Sequence, residues 1–266
     1  MSEKRPIITL TTDFGDADYF VAAMKGVILG INPAAELVDL THLIPAHDIY
    51  AAAFALMCCY RDFPKNTIHL VVVDPGVGSA RRPIMVMTDD YNFVGPDNGV
   101  FSYIYQREQV NRVVCFTTEH YFRQPVSNTF HGRDVFAPCA AYASKLIDWR
   151  MMGEEISDPV RFTTPAPVVT SEKQIRGTVI HIDRFGNLVT NITPAELTEE
   201  LIRAGARVKV GAHEAARVLT HFSEANPNEL FAYFGGAGFL ELAAPRQSAA
   251  RLVEGRRGIE VEVVVP

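Results

Sequence analysis

Apolar and polar positions follow two regimes along the chain. Up to about residue 160, short runs of Val, Ile and Leu alternate with longer segments whose apolar residues recur every three or four positions. Ile7 to Thr12 predicts a strand ending at Asp13. Tyr19 to Ile31 predicts a helix with Phe20, Met24, Val27 and Ile28 on one side, stopped by Asn32-Pro33. Leu37 to Leu40 predicts a short strand, and Asp48 stands where it would cap an apolar helix ending near Tyr60. Ile68 to Val73 predicts a strand buried on both faces. A hairpin over Ile84 to Met87 and Asn92 to Val94 follows, then helices over Gly99 to Arg107 and Val135 to Ile147 with a strand, Val113 to Phe116, between them. Such alternation predicts α/β architecture, a mostly parallel sheet flanked by helices on both faces.

Thr163-Thr164-Pro165-Ala166-Pro167 is an uncharged, Pro-rich link of the kind that separates domains. Beyond it the β pattern dominates, over Thr178 to Ile182, Leu188 to Ile192, Arg207 to Val210, Leu230 to Phe234, Phe239 to Leu242 and Ile259 to Val265. One helix, Pro194 to Arg203 with Thr193 as its cap, interrupts these strands. The predicted division is an N-terminal α/β domain over 1–163 and a smaller, β-rich C-terminal domain over 173–266.

Composition narrows the function classes. The 266 residues are 48% hydrophobic and 21% charged, as in ordinary soluble globular proteins. A net charge of -6 argues against nucleic acid as a partner, since phosphate recognition needs a basic face. No stretch is long and apolar enough to suggest a membrane span, and Met1 to Pro6 lacks the apolar core of a leader. Cys58, Cys59, Cys115 and Cys139 lack metal-ligand spacing, which predicts reduced thiols in a cytoplasmic protein.

The candidate chemistry lies in loops. Val71-Val72-Val73-Asp74-Pro75-Gly76-Val77-Gly78 carries a buried strand into an acid and a turn, and Arg81 follows within folding-back distance. Ligands of open α/β sheets bind at such carboxyl strand ends, although a capping turn aspartate would read the same way. Thr11-Thr12-Asp13-Phe14-Gly15 offers either a ribose-binding acid or another turn aspartate, and spacing alone favours the turn. No Gly-x-Gly-x-x-Gly and no Walker lysine accompanies it, so a Rossmann or P-loop nucleotide site is not supported. Asn98, in Gly95-Pro96-Asp97-Asn98-Gly99, serves a turn or faces a pocket. His131, in Thr129-Phe130-His131-Gly132-Arg133-Asp134, is catalytic or a hydrogen-bonded loop histidine. Asp183-Arg184-Phe185-Gly186-Asn187 is good turn chemistry in its own right.

Taken in order, these five loops resemble those of the S-adenosyl-L-methionine (SAM) hydroxide adenosyltransferases, adenosine-forming SAM hydrolases related to the SAM-dependent fluorinase and chlorinase. The resemblance runs from Pro6 to Val265. It implies displacement at the ribose 5′-carbon of SAM by water, giving adenosine and L-methionine, with SAM as substrate and no cofactor or metal. It further implies a homotrimer with each site between subunits. By the resemblance Asp74, Arg81 and His131 are the catalytic set, and Asp13 binds the ribose diol. Asp183 holds the methionine amine, Asn187 the adenine edge, and Phe185 and Phe222 wall the base. Glu241 is retained, and Ala244 offers its backbone to the base. The chain departs from the family where Gly235-Gly236-Ala237-Gly238 stands in place of an Asn-Ser-Ser-Gly segment, so around Gly236 the contacts to the methionine carboxylate fall to backbone N–H groups or to residues elsewhere. The alternatives are a SAM-dependent halogenase, a SAM- or adenosine-binding protein without turnover, and metal-dependent hydrolysis through Asp13, Asp74 and His131. The halogenase reading is opposed by the Asp74, Arg81 and His131 set and by the tight Thr88-Asp89-Asp90-Tyr91 connection. The metal reading lacks a ligand cluster of the His-x-His kind.

Overall fold

β-branched runs buried on both faces build the first sheet. The computed structural model describes residues 5–171 and 173–266, and all statements of number or absence concern these. The chain forms two units, Met1–Thr163 and Thr164–Pro266. In the first, the strands are β1 (Ile7–Thr12), β2 (Glu36–Thr41), β3 (Ile68–Val72), β4 (Pro83–Thr88), β5 (Asn92–Pro96), β6 (Val110–Phe116) and β7 (Gly153–Ile156). Their order is β2-β1-β3-β5-β4-β6-β7. β2, β1, β3 and β5 pair in parallel, whereas β4 is antiparallel to both β5 and β6, and β7 is antiparallel to β6. All strands but β4 and β7 therefore run one way, and the mostly parallel sheet is borne out.

Alternate residues of these strands feed two cores. Ile8, Leu10, Leu70, Val72 and Met85 pack with Met24 and Ile28 of helix α1 (Phe20–Ile31). Val71, Val73, Ile84, Val86 and Phe93 pack on the other face with Ala52 and Leu56 of helix α2 (Ile49–Cys59). Burying an aliphatic or aromatic side chain of this size contributes about 1.5–3 kcal/mol, which is why the β3 run tolerates no polar interruption except His69. Asp48 caps α2 by accepting from the Ala51 N–H, as its position predicts.

Two predicted helices shrink. Gly99 to Tyr103 forms turns, held by Ser102 N–H and Oγ donating to the Gly99 carbonyl, and only α3 (Ile104–Arg107) is helical. Gly132–Phe136 is a wider, π-type turn leading into α4 (Ala137–Ser144). The short helix α5 (Trp149–Met152) precedes β7.

The second unit is a nine-stranded sheet. Its members are β8 (Val168–Ser171), β9 (Gln174–Ile182), β10 (Leu188–Thr190), β11 (Arg207–Val210), β12 (His213–Ala215), β13 (Val218–Leu219), β14 (Phe231–Phe234), β15 (Leu240–Ala243) and β16 (Glu260–Val264). The order is β12-β11-β16-β9-β10-β15-β14-β13, with β8 also on β9. Every pair is antiparallel except β13 with β14. Ile175, Val208, Leu240, Leu242, Val261 and Val263 belong to one closed core. The helix predicted from Pro194 is α6 (Glu199–Arg203), and its cap is Thr198 rather than Thr193. Thr193 is spent on Glu196, whose carboxylate accepts from its N–H and its hydroxyl. A last short helix, α7 (Ala249–Leu252), is capped by Ser248. No helix is long and apolar enough to cross a membrane. Residues 1–4, on which the absence of a leader was read, lie outside the described residues.

Candidate active site

The parallel order places three loops on one edge of the first sheet. Thr12 of β1 lies opposite Val72 of β3, so Asp13 and Asp74 emerge from neighbouring strand ends. The turn after β5, carrying Asn98, emerges beside them. Asp74 and Arg81 are both nearly buried and form a bidentate pair: Nε of Arg81 lies 3.0 and 2.9 Å from the two carboxylate oxygens, and Nη2 lies 2.5 Å from Oδ2. The same Nη2 donates to Nδ1 of His131 at 2.7 Å. The guanidinium lies over the ring of Phe136, 4.9 Å from its centroid. The structure thus brings together Asp74, Arg81 and His131, three residues scattered over 57 positions of sequence.

Two loops meet to make this contact. Gly78 adopts φ +78°, and a Cβ there would lie 2.4 Å from the carbonyl oxygen of Asn128. Only glycine lets the Asp74 loop lie so close to the backbone leading to His131. That second loop is tied by Asp134, fully buried, which accepts from Ser127 N–H, Arg133 Nε and Arg123 Nη1 at 2.9, 2.7 and 3.1 Å.

A guanidinium can only donate, so Nδ1 of His131 is the acceptor and carries no proton. Burial and the adjacent Arg81 charge both push the imidazole pKa down. His131 is therefore neutral with its hydrogen on Nε2, and it presents a donor, not a base, through that atom. Asp74 keeps unused carboxylate lone pairs, since each oxygen can accept more than one bond.

Asp13 accepts the backbone N–H of His47 at 2.8 Å through Oδ2. Asn98 is turned toward the protein: its Nδ2 donates to the Val73 carbonyl at 2.9 Å and its Oδ1 accepts from Val100 N–H.

The second unit holds its own pocket, an open recess of about 630 Å³ lined by Phe185, Asn187, Phe222, Ala244, Arg246, Gln247 and Ser248. Four of these are sequence-predicted. Phe185 is 78% and Phe222 47% exposed, and such uncovered rings are suited to stacking on a planar ligand. Arg246, Gln247 and Ser248 were missed, because a polar Pro-Arg-Gln-Ser turn has no hydrophobic period to distinguish it.

Behind the pocket runs a polar chain. Asp183 accepts from the N–H groups of Phe185 and Asn187 and from Asn187 Nδ2 at 2.8 Å. Asn187 Nδ2 also lies 3.4 Å from the Tyr233 hydroxyl, which in turn donates to Glu241. Burial, opposed by that hydroxyl and reinforced by Asp183, raises the Glu241 pKa, and burial raises that of Tyr233. A Cβ on Gly235 would sit 1.9 Å from Glu241 Oε1, whereas Gly236 has open space around it. All four cysteines are free thiols.

Known proteins resemble this chain over nearly its whole length. Residues 8–153 match the SAM hydroxide adenosyltransferase N-terminal domain and residues 177–262 the corresponding C-terminal domain. The chain is 36% identical to a Methanocaldococcus jannaschii protein named (R)-S-adenosyl-L-methionine hydrolase, over 97% of this chain and 95% of that one. It is 23% identical to a fluorinase of Nocardia brasiliensis, over 98% of each. A crystal structure of an uncharacterized conserved protein from Thermotoga maritima superposes with a TM-score of 0.90 at 34% identity, covering 97% of this chain and 99% of that one. The chain belongs to the SAM hydroxide adenosyltransferase family.

Proposed function

We propose that this protein is an enzyme that hydrolyses SAM to adenosine and L-methionine, water attacking the ribose 5′-carbon in line with the carbon–sulfur bond. The observation that carries this reading is the contact of Asp74, Arg81 and His131. The sulfonium departs as a neutral thioether, so departure needs no general acid. What the reaction needs is a held, oriented water, and positioning of that kind supplies about 7–11 kcal/mol of a barrier. In our reading Asp74 accepts the water's hydrogen bond and takes its proton, Arg81 fixes the carboxylate, and the Nε2–H of His131 points a donor at the water oxygen. Asp13 receives the ribose diol. Phe185, Asn187, Phe222 and Ala244 receive the base, and Asp183, Gly236 and Glu241 the methionine end. The relatives are named for the R epimer at sulfur, and we assign the same epimer here.

No metal takes part in this reading, because the Arg81 guanidinium already fills the seat between Asp74 and His131. A halide fits poorly as nucleophile: the Asp74 and Arg81 charges cancel, leaving nothing to offset the cost of stripping the anion of water. We further assign a homotrimer whose sites form between subunits, and, from the free thiols, a cytoplasmic setting.

Incubation with each SAM epimer in oxygen-18 water, followed by mass analysis of the adenosine, tests the proposal. Heavy oxygen in adenosine formed from the R epimer is the expected result. Intact SAM with measurable adenosine binding would replace the enzyme by a binding protein.

A further inference from the structure

The loop that carries Asp74 and Arg81 is gripped at both ends by one turn. At its start, Asn98 Nδ2 donates to the carbonyl of Val73, the residue before Asp74. At its end, Asp97 N–H donates to the Arg82 carbonyl at 2.9 Å, and the Asp97 carboxylate accepts from Arg82 Nε and Nη2 at 2.9 and 2.6 Å. The adjacent arginines thus point apart, Arg81 to Asp74 and Arg82 to Asp97.

Asp97 is 2% exposed in its side chain, and its other oxygen accepts from Val160 N–H at 2.8 Å. Arg82 also donates to the Asp158 carboxylate and carbonyl, each at 2.7 Å. Phe162 continues the attachment, its N–H on Ser102 Oγ and its ring against Tyr50. Residues 158–162, which lead to the link, are therefore strapped over the turn that holds the loop.

From this geometry we infer that Arg82 and Asp97 form a clamp that positions the Arg81–Asp74 pair. Arg82 is a positioning residue for the reaction and touches no reacting atom, and Asn98 belongs to the same clamp. The inference rests on the proposed hydrolysis for its kinetic consequence and on hydrogen-bond geometry alone for its structural one. Arg81 reaches two partners through a single Nη2, so a small shift of its backbone loses one of them. A misplacement on the order of 1 Å is costly to catalysis.

The test compares Arg82→Met, Arg82→Lys and Asp158→Ala in the full chain. Arg82→Met should lower kcat by about tenfold or more while KM for SAM and the Kd for adenosine stay within about twofold. Arg82→Lys, which keeps a cation on Asp97, should recover part of that loss. Asp158, 76% exposed, is a surface partner of little weight, and Asp158→Ala should retain wild-type kcat. Nitrogen-15 NMR of the Arg81 Nε–H reads the clamp without turnover: its hydrogen exchange should be slow in the wild type and faster in both Arg82 variants. Wild-type kcat together with unchanged Arg81 exchange in folded Arg82→Lys and Arg82→Met would overturn the clamp. So would a parallel loss of kcat and adenosine affinity, which marks a general loss of structure. A wild type that leaves SAM intact removes the hydrolase reading, and the exchange measurement then decides the clamp alone.

Discussion

Asp74 is held by Arg81 through both carboxylate oxygens and keeps lone pairs for a further donor, and this makes the sharpest single-residue prediction. Asp74→Ala should abolish turnover and leave adenosine binding unchanged by calorimetry, because the residues proposed to receive the base lie elsewhere. Near-normal turnover would remove it from the mechanism. Asp13→Ala should chiefly weaken adenosine binding: a hydrogen bond to a charged acceptor is worth about 1.5–3 kcal/mol, and the His47 bond is made at Oδ2, which leaves Oδ1 for a ribose hydroxyl. Titration calorimetry showing equal affinities would contradict that. His69 makes a prediction about acid stability. It is fully buried in β3, paired with Thr9 through Nδ1 and stacked on Phe93, and burial pushes its pKa down to about 3. Above pH about 6.5 the ring is neutral in both folded and unfolded chains. Below it the unfolded chain binds a proton that the folded one refuses, and stability falls by about 1.4 kcal/mol per pH unit until about pH 3. His69→Phe should lessen the stability lost between pH 7 and pH 5 by about 2 kcal/mol in urea titrations. At this scale the sequence was legible where a residue closes a patterned element. Asp74, Asp13 and Asp48 all stand at such ends. It was silent on Arg82 and Asp97, whose partners lie 15 to 76 residues away and leave no local signature.

Among elements, the long apolar ones were readable and the short ones were not. β1, β3 and α1 declare themselves by unbroken period, and their bounds fall within two residues of those expected. β7, β8, β12 and β13 have two to four residues each, largely exposed or charged. They are strands only because a neighbour supplies the hydrogen bonds. Gly99 to Tyr103 has helical spacing, yet the chain stays in turns because Gly99 sits at φ +97° against Phe162, a contact made 63 residues away. The turn between β14 and β15 separates the two glycines that stand in the family's Asn-Ser-Ser-Gly segment. A side chain at Gly235 would meet the carboxylate of Glu241, whereas Gly236 is free. Gly236→Ser should therefore change stability by less than about 0.5 kcal/mol, as surface substitutions do. Gly235→Ser should cost about 1–3 kcal/mol by displacing a buried acid from its Tyr233 partner. Chemical denaturation of both variants checks the contrast, and equal costs would refute it.

For the whole molecule, the predicted site residues divide cleanly between units: Asp13, Asp74, Arg81, Asn98 and His131 in one, Asp183, Phe185, Asn187, Phe222, Gly236, Glu241 and Ala244 in the other. If, as proposed, neighbouring subunits complete each other's sites, Asp74→Ala and Asp183→Ala chains that are inactive alone should regain activity when mixed and allowed to exchange. Exchange without activity would confine each site to one chain. The division between α/β and β-rich halves was legible from the change of period and the Pro-rich link, whereas strand order was not, since pairing across long sequence distances is not written in any local window. That order has a consequence for how the chain is made. β16 is the last strand in sequence but lies inside its sheet, between β11 and β9, with Val264 opposite Gln174. The first unit can close its cores before any of the second exists. The second cannot close strand by strand as it emerges, because the β11–β12 pair has no strand to hydrogen-bond it to the rest of the sheet until residues 260–264 arrive. A chain interrupted or clipped before Glu260 would carry a finished first unit joined to an open-edged sheet, a species prone to pair with other copies through that edge.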